Sequence, residues 1–241
     1  LNVALLGESV SDQVIIGKNG WLFFEPTLDD YMKTDTLTRG EIRRLAKTLE
    51  IQSRYIKSSG RAFIFTAAPN KASVYGEHMP DRFKALGDKS NVQMLYDALR
   101  GSGVDYTDLY EALRAGGEGL YHKLDTHWNN KGALLAHNTL LGKVRQLMPG
   151  FTYDTHEELT PALERTWEGD LSGMLYPAAG ILDEQYIYDI PKEYSTGRPR
   201  KSLEDLTIKT ESDKGRLNLL MFRDSFATAL IPVMSNEFAS V

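Results

Sequence analysis

The sequence predicts an α/β protein built on a mostly parallel sheet. Three observations carry this. Residues 61–68 form a continuous apolar run that stops at the polar turn Pro69-Asn70-Lys71, as a central parallel strand does. Helical and strand patterns alternate from residue 38 to residue 148, the rhythm of βαβ units. A second apolar run, 217–222, leads through Arg223-Asp224 to Ser225 and then to an apolar stretch able to start a helix.

Composition sets the class. The chain has 241 residues, 41% hydrophobic and 25% charged, which suits one large domain or two small ones and is enough to bury a sizeable core. Net charge is −5 without a dense Lys/Arg cluster, which argues against nucleic-acid binding. With no cysteine, disulfides, thiolate metal sites and cysteine nucleophiles are excluded. No apolar run is long enough to span a bilayer as a helix. The chain starts at Leu1 without an initiator methionine, so an excised fragment with a signal or anchor upstream is expected.

In chain order, residues 1–16 are mildly apolar. Gly17-Lys18-Asn19-Gly20 then turns between Val14-Ile15-Ile16 and Trp21-Leu22-Phe23-Phe24, the Asn-Gly pair marking a hairpin with Trp21 in its core. Thr38 with Glu41 three residues later makes a capping box. It opens a helix with an apolar series Ile42, Leu45, Leu49, Ile51 and Tyr55, ending near Gly60. Residues 61–68 follow as strand, 92–99 as helix, 104–106 as strand, 108–114 as a helical turn, and 131–148 as a helix capped by Asn129 or Asn130. Residues 149–216 read as an irregular, insertion-like region, with a strand at 185–190 and an exposed loop or hairpin tip at 192–201. Residues 217–222 are expected as the last, buried strand.

Two short stretches carry chemistry. A serine after a strand and before a helix presents its hydroxyl at the carboxyl edge of a sheet. Its N–H then lies at a helix start, where negative charge is stabilised. Asp-Ser in that place is equally an ordinary helix cap. Asp125-Thr126-His127-Trp128 supplies a carboxylate and an imidazole two residues apart before a helix. That spacing suits either an orienting acid with a general base, or a cap with a half-buried histidine. His122, Asp125 and His127 could also be read as an oxygen/nitrogen metal set, but no spaced fourth ligand accompanies them, and no metal is expected. His78, His137 and His156 read as structural. Asn70 and Lys71, at the carboxyl end of a strand, are candidate substrate or oxyanion contacts.

Four stretches together resemble the SGNH-hydrolase-like domain of the alginate O-acetyltransferase family of bacterial polysaccharide-modifying proteins. They are residues 16–23, residues 69–75, the run Asp125-Thr126-His127-Trp128-Asn129, and Arg223-Asp224-Ser225-Phe226. Gly169-Asp170-Leu171 and Met174-Leu175 match a further segment of that family. The resemblance runs over nearly the whole chain, in order. It implies a three-layer α/β/α sandwich, circularly permuted because the Asp-x-His pair precedes the serine. It implies Ser225 as nucleophile, His127 as general base and Asp125 as its orienter, with Arg223, Asp224 and Trp128 as neighbouring candidate contacts.

The implied reaction transfers an acetyl group onto hydroxyls of an exported polysaccharide through an acetyl-serine, with water as the acceptor in an esterase. A membrane O-acyltransferase would relay the donor, no cofactor is implied, and the location is periplasmic or otherwise extracytoplasmic. Arg223 stands where relatives often carry glycine. Val241 lies sixteen residues past Ser225, so later strands and the remaining oxyanion donors are expected to be missing from a chain truncated at its C-terminus. The alternatives are a non-catalytic glycan-binding or scaffold member of the fold and an intracellular esterase.

Overall fold

The computed structural model describes residues 11–197 and 207–241. The mildly apolar start of the chain and the end of the 192–201 loop lie outside these residues. β1 (Val14–Ile16) and β2 (Leu22–Phe24) pair antiparallel around the expected turn, where Asn19 (φ 56°) and Gly20 (φ 78°) take the left-handed conformation that an Asn-Gly pair tolerates. Trp21 is buried and stacks on His78 at 4.6 Å.

α1 (Leu28–Met32) precedes the long α2 (Arg39–Ser58), whose capping box between Thr38 and Glu41 is fully formed. Its packed stripe is Ile42, Ala46, Leu49 and Ser53, the i, i+4, i+7, i+11 face. Leu45, Ile51 and Tyr55 fall off that stripe and are exposed, so the apolar series expected there mixes two faces of the helix. β3 (Ile64–Ala67) pairs in parallel with β4 (Asp105–Asp108), and α4 (Asn91–Leu99), packed on α2, crosses between them after the short α3 (Lys71–Val74). This is the βαβ unit that the sequence rhythm indicates. α5 (Leu109–Ala115) follows, capped by Asp108, and α6 (Asn130–Leu147) is capped by Asn129, which accepts from Lys131 N and Gly132 N.

The mostly parallel sheet is corrected here. Among the described residues β3–β4 is the one parallel pair, and the other three two-stranded sheets are antiparallel. Region 149–216 is more regular than expected. It holds β5 (Ala162–Glu168), α7 (Asp170–Leu175), β6 (Leu182–Ile187), β7 (Ser195–Thr196) and β8 (Thr210–Glu211). The strand expected at 185–190 sits a few residues earlier. β5 has no strand signature in the sequence, because its seven residues are all exposed and carry no apolar alternation.

The expected buried strand 217–222 is also overturned. Leu219 N donates to Ser240 O (2.8 Å) and Ala239 N to Leu217 O (2.8 Å), and the pairing stops there. Leu217, Leu219 and Met221 pack part-buried against the main core, while Leu220 and Phe222 are 82% and 93% exposed. A 3₁₀ turn, Ser225–Ala229, and α8 (Ile231–Glu237) follow. The main core gathers Trp21, Phe23, Tyr75, Leu109, Leu113, Tyr121, Trp128, Phe226 and Phe238 beneath these elements. No helix of the described residues is long and apolar enough to cross a membrane.

Candidate active site

Ser225 comes together with His127 and Asp125 from a stretch 98 residues beyond His127 in the chain. Trp128 is the hinge of that meeting. Its indole is 3% exposed, donates Nε1–H to Phe226 O at 3.0 Å and meets the Phe226 ring edge-on at 5.1 Å. Phe226 also lies 4.8 Å from the His127 ring. A buried Trp with a satisfied N–H is a strong local fastener, so Trp128 holds the serine turn against the His127 loop. Its burial corrects the expectation that it touches substrate.

With that fastening in place, His127 Nε2 lies 2.8 Å from Ser225 Oγ, and His127 Nδ1 lies 2.8 Å from Asp125 Oδ1. An ionised carboxylate only accepts, so Nδ1 carries the proton and Nε2 is left to accept from the serine hydroxyl. Ser225 is exposed, His127 half-buried and Asp125 3% exposed, so the relay runs from solvent inward.

Asp125 is held by four donors. Oδ1 accepts from His127 N (2.8 Å) and from Nδ1. Oδ2 accepts from Trp167 Nε1 (3.0 Å) and Asp170 N (3.1 Å). Burial alone would raise this carboxyl, but the hydrogen bonds from His127, Trp167 and Asp170 outweigh it and hold it far below the usual carboxylate range. The hydrogen bond to Asp125 raises the His127 pKa against the opposing effect of burial, with the charges of Asp125, Asp170 and Asp224 adding to it. Asp170 reaches back to the same loop, its Oδ1 accepting from Thr126 N at 2.7 Å. This closeness depends on Gly169, where a Cβ would stand 2.2 Å from Leu124 O.

Lys71 does something the sequence did not suggest. It is 4% exposed, and its ammonium donates to the carbonyls of His122 (3.0 Å), Lys123 (3.1 Å) and Asp125 (2.6 Å), with the Trp21 and Phe23 rings 5.5 and 5.3 Å away. Three donors meet three carbonyls, so the side chain clamps the loop that carries Asp125 and His127 rather than a substrate. Burial pulls its pKa down to about 7 against the charges of Asp125, Asp183 and Asp170. Replacing it by methionine leaves the His122 and Asp125 carbonyls without donors, while Lys123 O keeps Leu22 N at 2.9 Å, and Lys71→Met is expected to lower unfolding free energy by about 3 kcal/mol in a denaturant titration. Wild-type stability would show that the clamp is dispensable.

The other expected contacts are placed as follows. Asn70 Nδ2 donates to Asp30 Oδ2 at 3.0 Å on a part-buried surface. Asp224 caps the 3₁₀ turn by accepting from Phe226 N at 3.0 Å, which commits that N–H. Arg223 is exposed beside Ser225, with Nη1 on Asp224 O (3.1 Å) and Thr228 Oγ1 (3.3 Å). His122 is separate from the relay: Nδ1 is bound to Glu184 O at 2.9 Å, burial lowers its pKa, and its ring stacks on Trp167.

Among the described residues two groups bring three ligand atoms within 4.8 Å of one another, Asp125/His127/Asp170 and Asp154/His156/Glu158. In the first, the Asp125 oxygens are already occupied by four donors, which suits a proton relay better than a cation. Chemically, the arrangement is a hydroxyl next to a base whose tautomer is fixed by an ionised acid, the requirement for an activated serine nucleophile.

The family model described as "SGNH hydrolase-like domain, acetyltransferase AlgX" matches residues 14–211, which include Asp125 and His127 and stop short of Ser225. A protein named probable alginate O-acetylase AlgJ from Pseudomonas aeruginosa is 30% identical over 187 residues, 71% of this chain and 43% of that protein. Its namesake in Pseudomonas syringae pv. tomato is 24% identical over 165 residues, 67% of this chain and 41% of that one. The chain thus spans less than half the length of the curated relatives it matches.

Among solved structures, Bacillus cereus PatB1 with a sulfonyl adduct superposes with a TM-score of 0.67 at 16% identity, over 97% of this chain and 85% of its own. The O-acetyltransferase domain of Pseudomonas putida AlgJ gives 0.55 at 17% identity, over 94% and 77%. Both likenesses concern the fold. The chain belongs to the family of SGNH hydrolase-like domains represented by the acetyltransferase AlgX.

Proposed function

We propose that this chain is an SGNH-type serine O-acetyltransferase that moves an acetyl group onto hydroxyls of an exported polysaccharide through an acetyl-Ser225 intermediate. The observation that carries the reading is the unbroken 2.8 Å and 2.8 Å relay from Ser225 Oγ through His127 to Asp125. Support for the acyl group and the acceptor comes from the relatives' names, alginate O-acetylase and O-acetyltransferase domain.

In this mechanism the Ser225 proton passes to His127 Nε2 as Oγ attacks the acetyl carbonyl. Asp125 stabilises the imidazolium without taking its proton. The Ser225 N–H, at the first residue of the 3₁₀ turn, donates to the developing oxyanion. His127 then returns its proton to the departing alkoxide. A sugar hydroxyl, deprotonated by the same imidazole, attacks the acetyl-serine and releases it. Because Ser225 is exposed, water competes as acceptor, and an acetylesterase activity accompanies transfer. Exposed Arg223, two residues before Ser225, and part-buried Asn70 remain the substrate-contact candidates.

The fold implied is a permuted three-layer sandwich, with the chain as one unit. Its location is periplasmic, and a membrane O-acyltransferase is the donor relay.

The test is direct. A sulfonyl fluoride should label Ser225, as read by peptide mass spectrometry, and p-nitrophenyl acetate should acetylate alginate oligosaccharides in the presence of the protein. Absence of both the label and turnover would overturn the reading. The pH dependence has a definite sign. A general base works unprotonated and the His127 pKa is raised, so kcat/KM should fall on the acid side with its limb above the ordinary histidine value of about 6.5. The same shift stabilises the fold below that value, and the gain is lost as pH rises through the higher folded pKa.

A further inference from the structure

β5 and β6 pair with a constant register from Ala162↔Ile187 to Arg165↔Glu184, and then the partners become Trp167↔Asp183 and Glu168↔Leu182. One residue, Thr166, is therefore extra. In an unbroken ladder Trp167 would point to the same side as Leu163 and Arg165, which are exposed. Arg165 on that side pairs with Glu184 at 2.9 Å. The bulge instead sets Trp167 opposite Asp183, a buried residue whose Oδ2 accepts from Leu124 N at 2.6 Å. Bulges next to functional sites commonly re-aim a side chain in this way. Here the re-aimed indole lies flat on His122 (4.8 Å, 7°) and puts Nε1 3.0 Å from Asp125 Oδ2.

From this we infer that Trp167 is a positioning residue for the Asp125–His127 pair, delivered to it by the β-bulge at Thr166. The inference rests on the reading of His127 as the base. Of the four donors on Asp125, two belong to His127 itself and one is the backbone of Asp170 at the start of α7. Trp167 is the one side chain brought from a separate hairpin. Its hydrogen bond fixes the carboxylate plane, so that Oδ1 faces Nδ1, and draws negative charge toward Oδ2. The basicity of His127 is thereby coupled to the register of the β5–β6 hairpin. The indole is itself 39% exposed, so the coupling sits at the solvent side of the site.

Trp167→Phe keeps a ring over His122 and removes only the N–H. With that donor gone, the Asp125 charge concentrates toward Nδ1. The His127 titration midpoint, followed by NMR of its ring, should rise by roughly half a pH unit. Acetyl-ester turnover should fall roughly tenfold as the pair loses its fixed geometry. In the unaltered protein the Trp167 indole N–H resonance should shift with the His127 midpoint, because both donate to Asp125. That measurement needs no variant to fold.

An unchanged His127 midpoint in Trp167→Phe, or an indole resonance flat through the titration, overturns the inference whatever the turnover shows. Wild-type protein that neither turns over acetyl esters nor takes a sulfonyl label overturns the proposed reaction instead and leaves both NMR readouts standing.

Discussion

Ser225→Ala is expected to lower p-nitrophenyl acetate turnover by at least about 10³-fold, the scale on which members of a serine relay fail singly. The loss is chemical rather than structural. Ser225 is exposed, and its one interaction in the relay is the 2.8 Å hydrogen bond to His127 Nε2. Trp128, Phe226 and the Asp224 cap, which hold the turn, do not involve its side chain. Thermal unfolding should therefore move little, since removing an exposed hydroxyl falls within the range of ordinary surface substitutions. His127→Ala should match the kinetic loss, and the double variant should be scarcely worse than either, because the two side chains act in one step. A Ser225→Ala protein retaining more than a tenth of the rate would mean that the nucleophile lies elsewhere.

Much of this site was legible because its parts are local. Asp125 and His127 are two residues apart, and the turn that joins them lets one carboxylate oxygen accept from both the backbone N–H and the ring Nδ1–H of His127. Asn129, Thr38 and the Asn19-Gly20 turn announced themselves through short-range rules of capping and left-handed backbone. What failed depends on contacts distant in sequence. Lys71 and Trp128 looked like polar and aromatic residues at the end of an element, where substrates are met. Their burial follows from the Trp21–Phe23 hairpin and from Phe226, about 50 and about 100 residues away respectively. Trp167 had no signal at all, because a bulge of one residue reverses the side of the strand on which it stands.

The exposed Leu220 and Phe222 show the same limit from the other direction. An apolar run reads as a buried strand, yet the described structure gives it a backbone partner only as far as Leu219.

The four-donor cage makes Asp125→Asn the most instructive second variant. An aspartate offers two oxygens, and here each accepts from two donors. An asparagine offers one oxygen and one NH₂, so in either orientation its amide protons point at N–H groups. If the NH₂ faces His127, it clashes with the His127 N–H and drives the proton from Nδ1 to Nε2. The ring then presents N–H to Ser225 Oγ and accepts nothing. If the NH₂ faces outward, it opposes the Trp167 and Asp170 N–H groups, and the charge that raises the His127 pKa is gone in either case.

The first orientation inactivates by tautomer and the second by lost basicity, and both leave buried donors unsatisfied. Turnover should fall by about 10⁴-fold. Unlike Ser225→Ala, the protein should also lose about 2–3 kcal/mol of stability, because the first orientation leaves the His127 backbone N–H unsatisfied and the second leaves both the Trp167 and Asp170 N–H groups so. The His127 midpoint should drop below its wild-type value, since the carboxylate that held it up is neutral. A variant as stable as wild type, with an unmoved His127 midpoint, would show that Asp125 does not govern the imidazole and that the relay ends at His127.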